Sequence, residues 1–318
     1  MKLRTLLRTA SVGVLVTLTA PAALAGEFIN VLTGGTSGVY YPLGVALSQI
    51  YGKAIPDAKS SVQSTKASAE NLNLLQAGKG EVGFTLGDAF SNAWKGDADA
   101  GFKTPLNKLR TLAAIYPNYI QIVASAESGI RSLADLKGKR VAVGAPKSGT
   151  ELNARAIFKA AGMSYDDFSK VEYLPFGESV ELMKNRQLDA TLISAGLGVA
   201  AVRDLATSLK VLIVPITPDV IDRIGDAAYQ PGVIPADTYS GQGGEVATIA
   251  IQNFLVTHEG VPADTVYKMT KAMFENLDQM VAAHGAAKGI KKEAAAKAPP
   301  APLHPGAEKY YREAGLIK

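Results

Sequence analysis

From residue 28 to residue 216 the chain repeats one unit: a short apolar run, a few small polar residues, then a stretch with apolar positions at helical spacing. "FINVLT" passes through "GGTSGV" into "YPLGVALSQIYGKA", and "EVGFTL" passes through Gly87-Asp88 into "AFSNAW". "RVAV" passes through "GAPKSGTE" into "LNARAIFKAAG", and "ATLISA" runs into "GVAAVRDLATS". Short runs rich in β-branched residues predict strands, and the helical spacing predicts helices. Strands that alternate with helices pair through crossovers and not through hairpins. The expected result is an α/β fold with a mostly parallel sheet covered on both faces.

"AKSSVQST", "LRTLAAIY" and "YIQIVAS" predict further strands, and a second strand–helix series opens at Ile130. Two series predict two lobes, residues 26–123 and 124–250. Two runs, 119–126 and 246–256, are long enough to pass between lobes. Residues 251–318 are therefore expected to return to the first lobe, led by the amphipathic helix in "ADTVYKMTKAMFENLDQMVAA". "KKEAAAKAPPAPLHPG" reads as a helical stub stopped by its prolines, and "AEKYYREAGLIK" as a short last helix.

Residues 1–25 read as an export signal. Lys2, Arg4 and Arg8 make a positive start, an apolar stretch follows from residue 12 to residue 18, and Ala23-Leu24-Ala25 is a small-residue cleavage site. The stretch is too short to span a bilayer. The expected location is the periplasm. Three of the four net positive charges lie in this segment, so the rest of the chain is nearly neutral and carries no dense basic face for nucleic acid. There are no cysteines, which removes disulfides and thiol chemistry. His258, His284 and His304 are far apart, so no metal or other cofactor is expected.

Four junctions share a design that suits an anion: Gly34 to Tyr41, Thr65 to Asn71, Gly87-Asp88, and Gly144 to Glu151. Each joins a strand end to a helix start. Helix N-termini offer unpaired N–H groups and a partial positive charge, and glycine lets backbone approach a ligand. Thr36, Ser37, Ser148 and Thr150 add hydroxyl donors. Ser68 and Asn71, preceded by Thr65, read as a capping box. Tyr40 is expected to face the cleft and Tyr41 to pack, since successive helix positions diverge. Asp88 either accepts from a ligand or caps "AFSNAW". Lys66 and Lys147 are candidate partners for an anion, whereas Tyr116, Asn118 and Gln121 read as hinge packing. Asp166-Asp167 reads as a solvated helix cap.

Nucleotide chemistry is excluded by detail. Lys147-Ser148-Gly149-Thr150 has the wrong order for a phosphate-binding P-loop, and no dinucleotide fingerprint or Gly-x-Ser-x-Gly elbow occurs. An enzyme on this fold would have to work with Asp88 and a lysine alone, so a binding protein is expected.

"GGTSGVYYPLG", "SAENLNLLQAGKGEVGF", "SLADLKGKRVAVGAPKSGTE" and "LHPGAEKYYREAGL" occur in this order. Together they resemble the TAXI family, the solute receptors of TRAP (tripartite ATP-independent periplasmic) transporters. The resemblance implies a type II periplasmic binding-protein fold: two α/β lobes joined by hinge strands, with a ligand cleft between them. It implies a monomer that takes a small organic carboxylate, a glutamate-like amino acid or a dicarboxylate, to an ion-gradient-driven permease. A sensor that presents its ligand state to a membrane partner is the alternative.

By matching position, the resemblance implies ligand contacts at Gly35, Thr36, Ser37, Gly38 and Tyr40, at Ser68 and Asn71, at Asp88, at Ser148, Gly149 and Thr150, and at Gly196. Lys66 and Lys147 stand where glycine is usual in the family, and Gly198 stands where proline is common. Two lysines beside the cleft lead to the expectation of a ligand more negative than a zwitterion, such as a dicarboxylate.

Overall fold

The structure is a computed structural model that describes residues 27–318; the expected export signal lies outside the described residues. The chain begins with β1 (Phe28–Leu32), α1 (Tyr40–Ala54), β2 (Lys59–Gln63), α2 (Ser68–Gln76), β3 (Val82–Leu86) and α3 (Gly87–Lys95). β4 (Leu109–Ser125) leads to β5 (Arg140–Ala142), α4 (Gly149–Ala160), β6 (Lys170–Glu172) and α5 (Phe176–Lys184). Then come β7 (Ala190–Ala195), α6 (Ala200–Ser208), β8 (Val211–Val214), α7 (Pro218–Ile224) and β9 (Gln230–Ile234). β10 (Val246–His258), α8 (Ala263–Glu275), α9 (Leu277–Ala283) and α10 (Pro305–Glu313) complete it.

The strands form one sheet in the order β2-β1-β3-β10-β4-β7-β5-β6, with β8 on β4 and β9 on β10. Its wings are parallel, as the alternation predicts: β2, β1 and β3 on one side, β7, β5 and β6 on the other. Its middle is antiparallel. β10 runs against both β3 and β4, and β4 runs against β7. The two wings are the two lobes, and β4 and β10 pass through both.

"LRTLAAIY" and "YIQIVAS" are one strand, not two, despite Pro117. Proline has no N–H to give a ladder. Pro117 lies opposite Gln252, where the β10 register slips before Phe254. The missing donor is thus placed at an irregularity that already breaks the ladder.

Apolar residues on both faces of the sheet are buried. Tyr51, Phe84, Tyr116 and Leu47 belong to one cluster, and Phe90, Phe158, Leu32 and Ile122 to the other. On the first, α8 and α9 pack against α1, and α10 against α8. The stub ahead of the prolines is one 3-10 turn, Lys292–Ala294, and the Pro-rich run after residue 298 is not helical. It lies along β4, where Thr111 N–H donates to Pro302 O (2.8 Å) and His304 N–H to Thr111 O (2.9 Å).

The run His304-Pro305-Gly306 has a physical reason at each position. Burial pushes the His304 imidazole down to about 4, so it is neutral, and its Nδ1 accepts from Gly306 N–H at 3.2 Å as the α10 cap. Pro305 sits where its missing N–H costs nothing. A Cβ on Gly306 would lie 2.1 Å from Ala263 O, so α10 touches the start of α8 backbone to backbone. Gly306→Ala is expected to cost about 2 kcal/mol by overpacking a contact no rotamer can relieve. Urea unfolding of the variant measures it; an unchanged midpoint would contradict the close approach.

Candidate functional site

A cavity of about 440 Å³ lies between the lobes. Gly34 to Ser37, Tyr40 and Ser64 to Ser68 line it from the first lobe. Ala145, Ser148 to Thr150, Pro175 to Glu178 and Ser194-Ala195 line it from the second, and Asn118 of β4 forms part of the floor.

The first residues of α1, α2, α4 and α5 are all in this lining. α1, α2 and α5 have no side-chain cap. Their leading N–H groups therefore keep donor capacity, and the four partial positive charges add over one space. α4 is capped by Ser148, whose Oγ accepts from Glu151 N–H at 3.1 Å. Ser68 Oγ accepts from Leu86 N–H at 3.1 Å in the same way. A serine that accepts a backbone N–H still has its own proton to donate. Ser68 and Ser148 thus present O–H donors from opposite lobes. Ser194 Oγ is buried and without a partner among the described residues.

The capping-box reading of Ser68 is corrected. Ser68 is the first residue of α2, and the residue before it, Ala67, has φ 69°. That left-handed turn is held by Thr65, whose Oγ1 accepts from Ala67 N–H at 2.9 Å. It frees the Ser68 side chain for the cavity and for β3.

Two charged side chains line the cavity: Lys66 from the first lobe and Glu178 from the second. Lys147 does not line it. The turn ahead of α4 puts Lys147 at φ 62°, with its side chain exposed, so the dicarboxylate expectation loses one of its two lysines.

Of the other residues singled out from the sequence, Gly35, Thr36, Ser37, Tyr40, Ser68, Ser148, Gly149 and Thr150 come together at the cavity. Gly38, Asn71, Asp88 and Gly196 lie outside its lining. Gly38 packs within the first loop, where a Cβ would lie 3.3 Å from Gly35 O. Asn71 is spent on the fold. Its Nδ2 donates to Thr33 O (2.7 Å) and Phe84 O (2.9 Å), and its Oδ1 accepts from Thr65 Oγ1 (2.6 Å). Gly196 sits against Tyr116, where a Cβ would be 3.1 Å from the ring.

Asp88 is 1% exposed and faces the second lobe beside the cavity. Its Oδ2 accepts from Asn153 Nδ2 at 2.7 Å and from the Tyr229 hydroxyl at 2.8 Å. Burial pushes its carboxyl up to about 6, against the Tyr229 bond, which favours the charged form.

Tyr40 both lines the cavity and packs. Its ring stacks on Phe84 at 5.0 Å, and its hydroxyl, held protonated by burial, donates to Asn253 Oδ1. From there a chain of buried amides crosses both hinge strands. Asn253 Nδ2 donates to Asn118 Oδ1 (2.7 Å) and Tyr116 O (2.8 Å), and Asn118 Nδ2 donates to Ser194 O (2.9 Å). Gln121 Nε2 donates to Ala195 O at 3.1 Å.

The sequence reading missed Ser64, Ser194 and the junction from Pro175 to Glu178. That junction has the same strand–helix design as the others. Its apolar Pro175-Phe176 step, in place of small polar residues, hid it. Among the described residues no cluster of His, Asp and Glu is arranged to hold a metal ion.

Residues 31–315 match the NMT1-like family model. The chain belongs to the NMT1-like family. It is a family of periplasmic solute-binding proteins.

Solved structures support the same fold for this NMT1-like chain. The periplasmic binding protein BugD is 12% identical, with 92% of this chain and 99% of that one covered at a TM-score of 0.58. The alkanesulfonate-binding protein SsuA from Xanthomonas axonopodis pv. citri, bound to MOPS, is 14% identical over 90% and 83% of the two chains, with a TM-score of 0.50. A putative L-cystine ABC transporter from Listeria monocytogenes is 16% identical over 83% and 98%, at 0.51. At such identities the likeness is one of fold.

The lobes touch on both flanks of the cavity. Ala201 N–H donates to Ser37 O at 3.3 Å across the boundary. A Cβ on Gly149 would lie 2.5 Å from Ser68 Oγ and 2.7 Å from Leu86 Cδ1. Gly149→Ala should therefore leave each lobe intact and hold them apart. Small-angle scattering is expected to show a larger radius of gyration than wild type, with an unchanged circular dichroism spectrum. Equal radii would mean the contact does not limit closure.

Proposed function

We propose that the protein is a periplasmic receptor that holds a small organic carboxylate between its lobes and hands it to a membrane permease. The observation that carries the reading is the convergence of four helix N-termini and two serine O–H donors, Ser68 and Ser148, on one interlobe cavity. Such ends attract anions, and bonds from N–H or O–H to a charged oxygen are about twice as strong as neutral ones. Micromolar binding corresponds to about −8 kcal/mol. A few such bonds in a water-poor cleft supply that, less the cost of closure.

A cavity of about 440 Å³ suits a solute of amino-acid or dicarboxylate size. Thr36, Ser37, Thr150 and Gly35 are the further contacts, with Lys66 as the cationic side chain. The alkanesulfonate-binding neighbour also takes an anion, which fits this reading. The resemblance of the four motifs to TAXI receptors favours a TRAP permease, driven by an ion gradient, as the partner. The composition of residues 1–25 favours export to the periplasm.

Native mass spectrometry of protein purified without refolding tests this first, through the solute that comes with it. Calorimetry with L-glutamate, succinate and an alkanesulfonate follows. The expected result is an organic anion in the gas-phase complex and micromolar affinity for a carboxylate. Ser68→Ala and Ser148→Ala should each weaken it about tenfold, the equivalent of one charge-assisted bond. Recovery of neutral solutes alone, or wild-type affinity in both serine variants, would refute the reading.

A further inference from the structure

α4 carries three contacts to the first lobe. Gly149 lies on Ser68 and Leu86, Asn153 reaches Asp88, and the Arg155 guanidinium donates to Asp99 O at 3.0 Å. The middle contact is unusual in its hydrogen-bond accounting. Asp88, Asn153 and Tyr229 are 1%, 0% and 5% exposed, and the cluster they form spans the lobe boundary. Asn153 Nδ2 donates to Asp88 Oδ2 (2.7 Å) and to the Tyr229 oxygen (3.1 Å), and the Tyr229 hydroxyl donates to Asp88 Oδ2 (2.8 Å). The side-chain donors are then spent. Asp88 Oδ1 and Asn153 Oδ1 are both buried and make no well-formed hydrogen bond among the described residues, although the Ala89 and Asp88 N–H groups lie near the Asp88 carboxyl. Buried acceptors without donors are costly, and a carboxylic acid is the protonation state that supplies one.

We propose that Asp88 is a positioning residue that docks α4 onto the first lobe in its protonated form, so that closing the cleft takes up a proton. The proton on Oδ1 supplies the missing donor beside Asn153. Geometry and electrostatics agree on this: burial raises the Asp88 carboxyl to about 6, and the charge of Asp226 adds to the rise. The Tyr229 hydroxyl and the N–H groups of Ala89 and Asp88 act in the opposite direction. The other ionisable groups that face it are Tyr229, ahead of β9, and Tyr40 of α1, both held protonated by burial. On α4, Glu151 is tied to Arg155 at 2.8 Å.

With the lobes apart, Asp88 meets water and titrates near the ordinary aspartate value. The raised value belongs to the closed form. Closure is therefore favoured at low pH and loses that advantage as pH rises through about 6. Between pH 8 and pH 5 the closed-to-open ratio is expected to rise about tenfold.

The inference rests on the two-lobed receptor reading but not on any solute, so its test uses none. The chain has no cysteine, so spin labels attach only where one is introduced. Lys79→Cys and Lys159→Cys place one exposed label on each lobe. Pulsed electron paramagnetic resonance then reads the interlobe distance at a series of pH values. In the otherwise wild-type chain the ratio of the short-distance to the long-distance population should grow about tenfold from pH 8 to pH 5. Asp88→Asn, which carries the extra donor at every pH, should show one unchanging distribution. Tyr229→Phe removes a bond to the carboxylate and should move the midpoint to higher pH. A wild-type distribution that does not change with pH, a pH response that survives in Asp88→Asn, or an unmoved midpoint in Tyr229→Phe overturns the proposal. Failure of the carboxylate reading, in contrast, would appear only in the solute titrations.

Discussion

The chain of buried amides across the hinge is the interaction on which the rest of this structure depends. β4 and β10 must pass through both lobes as extended backbone, yet the cavity opens directly over them. Polar floors under a cleft are costly unless every group is bonded. Asn253 and Asn118 meet that demand by bonding to one another, to the backbone of Tyr116 and Ser194, and to the Tyr40 hydroxyl. The same bonds fix where α1 starts relative to β10, and hence where the first loop points. The floor, the first-lobe wall and the second-lobe strand β7 are thereby referenced to one set of side chains.

The loops around the cavity follow from that frame with little additional design. Each parallel strand ends at the cleft and turns into a helix, so helix N-termini arrive there by topology. What the sequence adds is the choice of small hydroxyl residues and glycine at the turns. Ser68 and Ser148 are used twice, once as acceptors that steady β3 and α4, and once as donors toward the cavity. Gly149 has its place because a methyl group would strike Ser68 and Leu86. Conformational freedom is not the reason for glycine there; the lobes simply come too close for a side chain.

Local pattern carried the fold far. The alternation of strand and helix predicted the parallel wings, and the two long apolar runs pointed to the crossing strands. The antiparallel middle was not legible, because a strand's partner depends on chain returns that lie roughly 70 to 170 residues apart. Local pattern reads two strands where β4 is one for a related reason, since tolerance of Pro117 within it depends on a register slip in β10. At the site, loops rich in glycine and hydroxyls stood out, whereas Phe176-Gly177-Glu178 did not. Lys147 and Lys66 looked alike in sequence. Both are exposed, but the turn at φ 62° keeps Lys147 out of the cavity lining that includes Lys66, and only three-dimensional geometry separates them. Asn71 and Gly196 sit at positions where the resemblance implied ligand contacts, and here they hold backbone and hinge instead.

Solute binding and lobe closure share α4. Its first turn offers N–H groups and Ser148 to an anion, and its next turns touch the first lobe at Asp88 and Asp99. A ligand shifts the equilibrium only by its preference for one state. In the proposed receptor, an anion between the lobes would bond Ser68 and Ser148 together only when α4 is docked, so its preference for the closed form would be built into the helix. The Asp88 cluster works against that preference whenever its carboxyl is charged and buried. Strong docking contacts alone would close the empty receptor and slow solute entry. A buried acceptor surplus in the docking face weakens the empty closed state and leaves the solute to tip the balance, and it does so without altering a residue that lines the cavity.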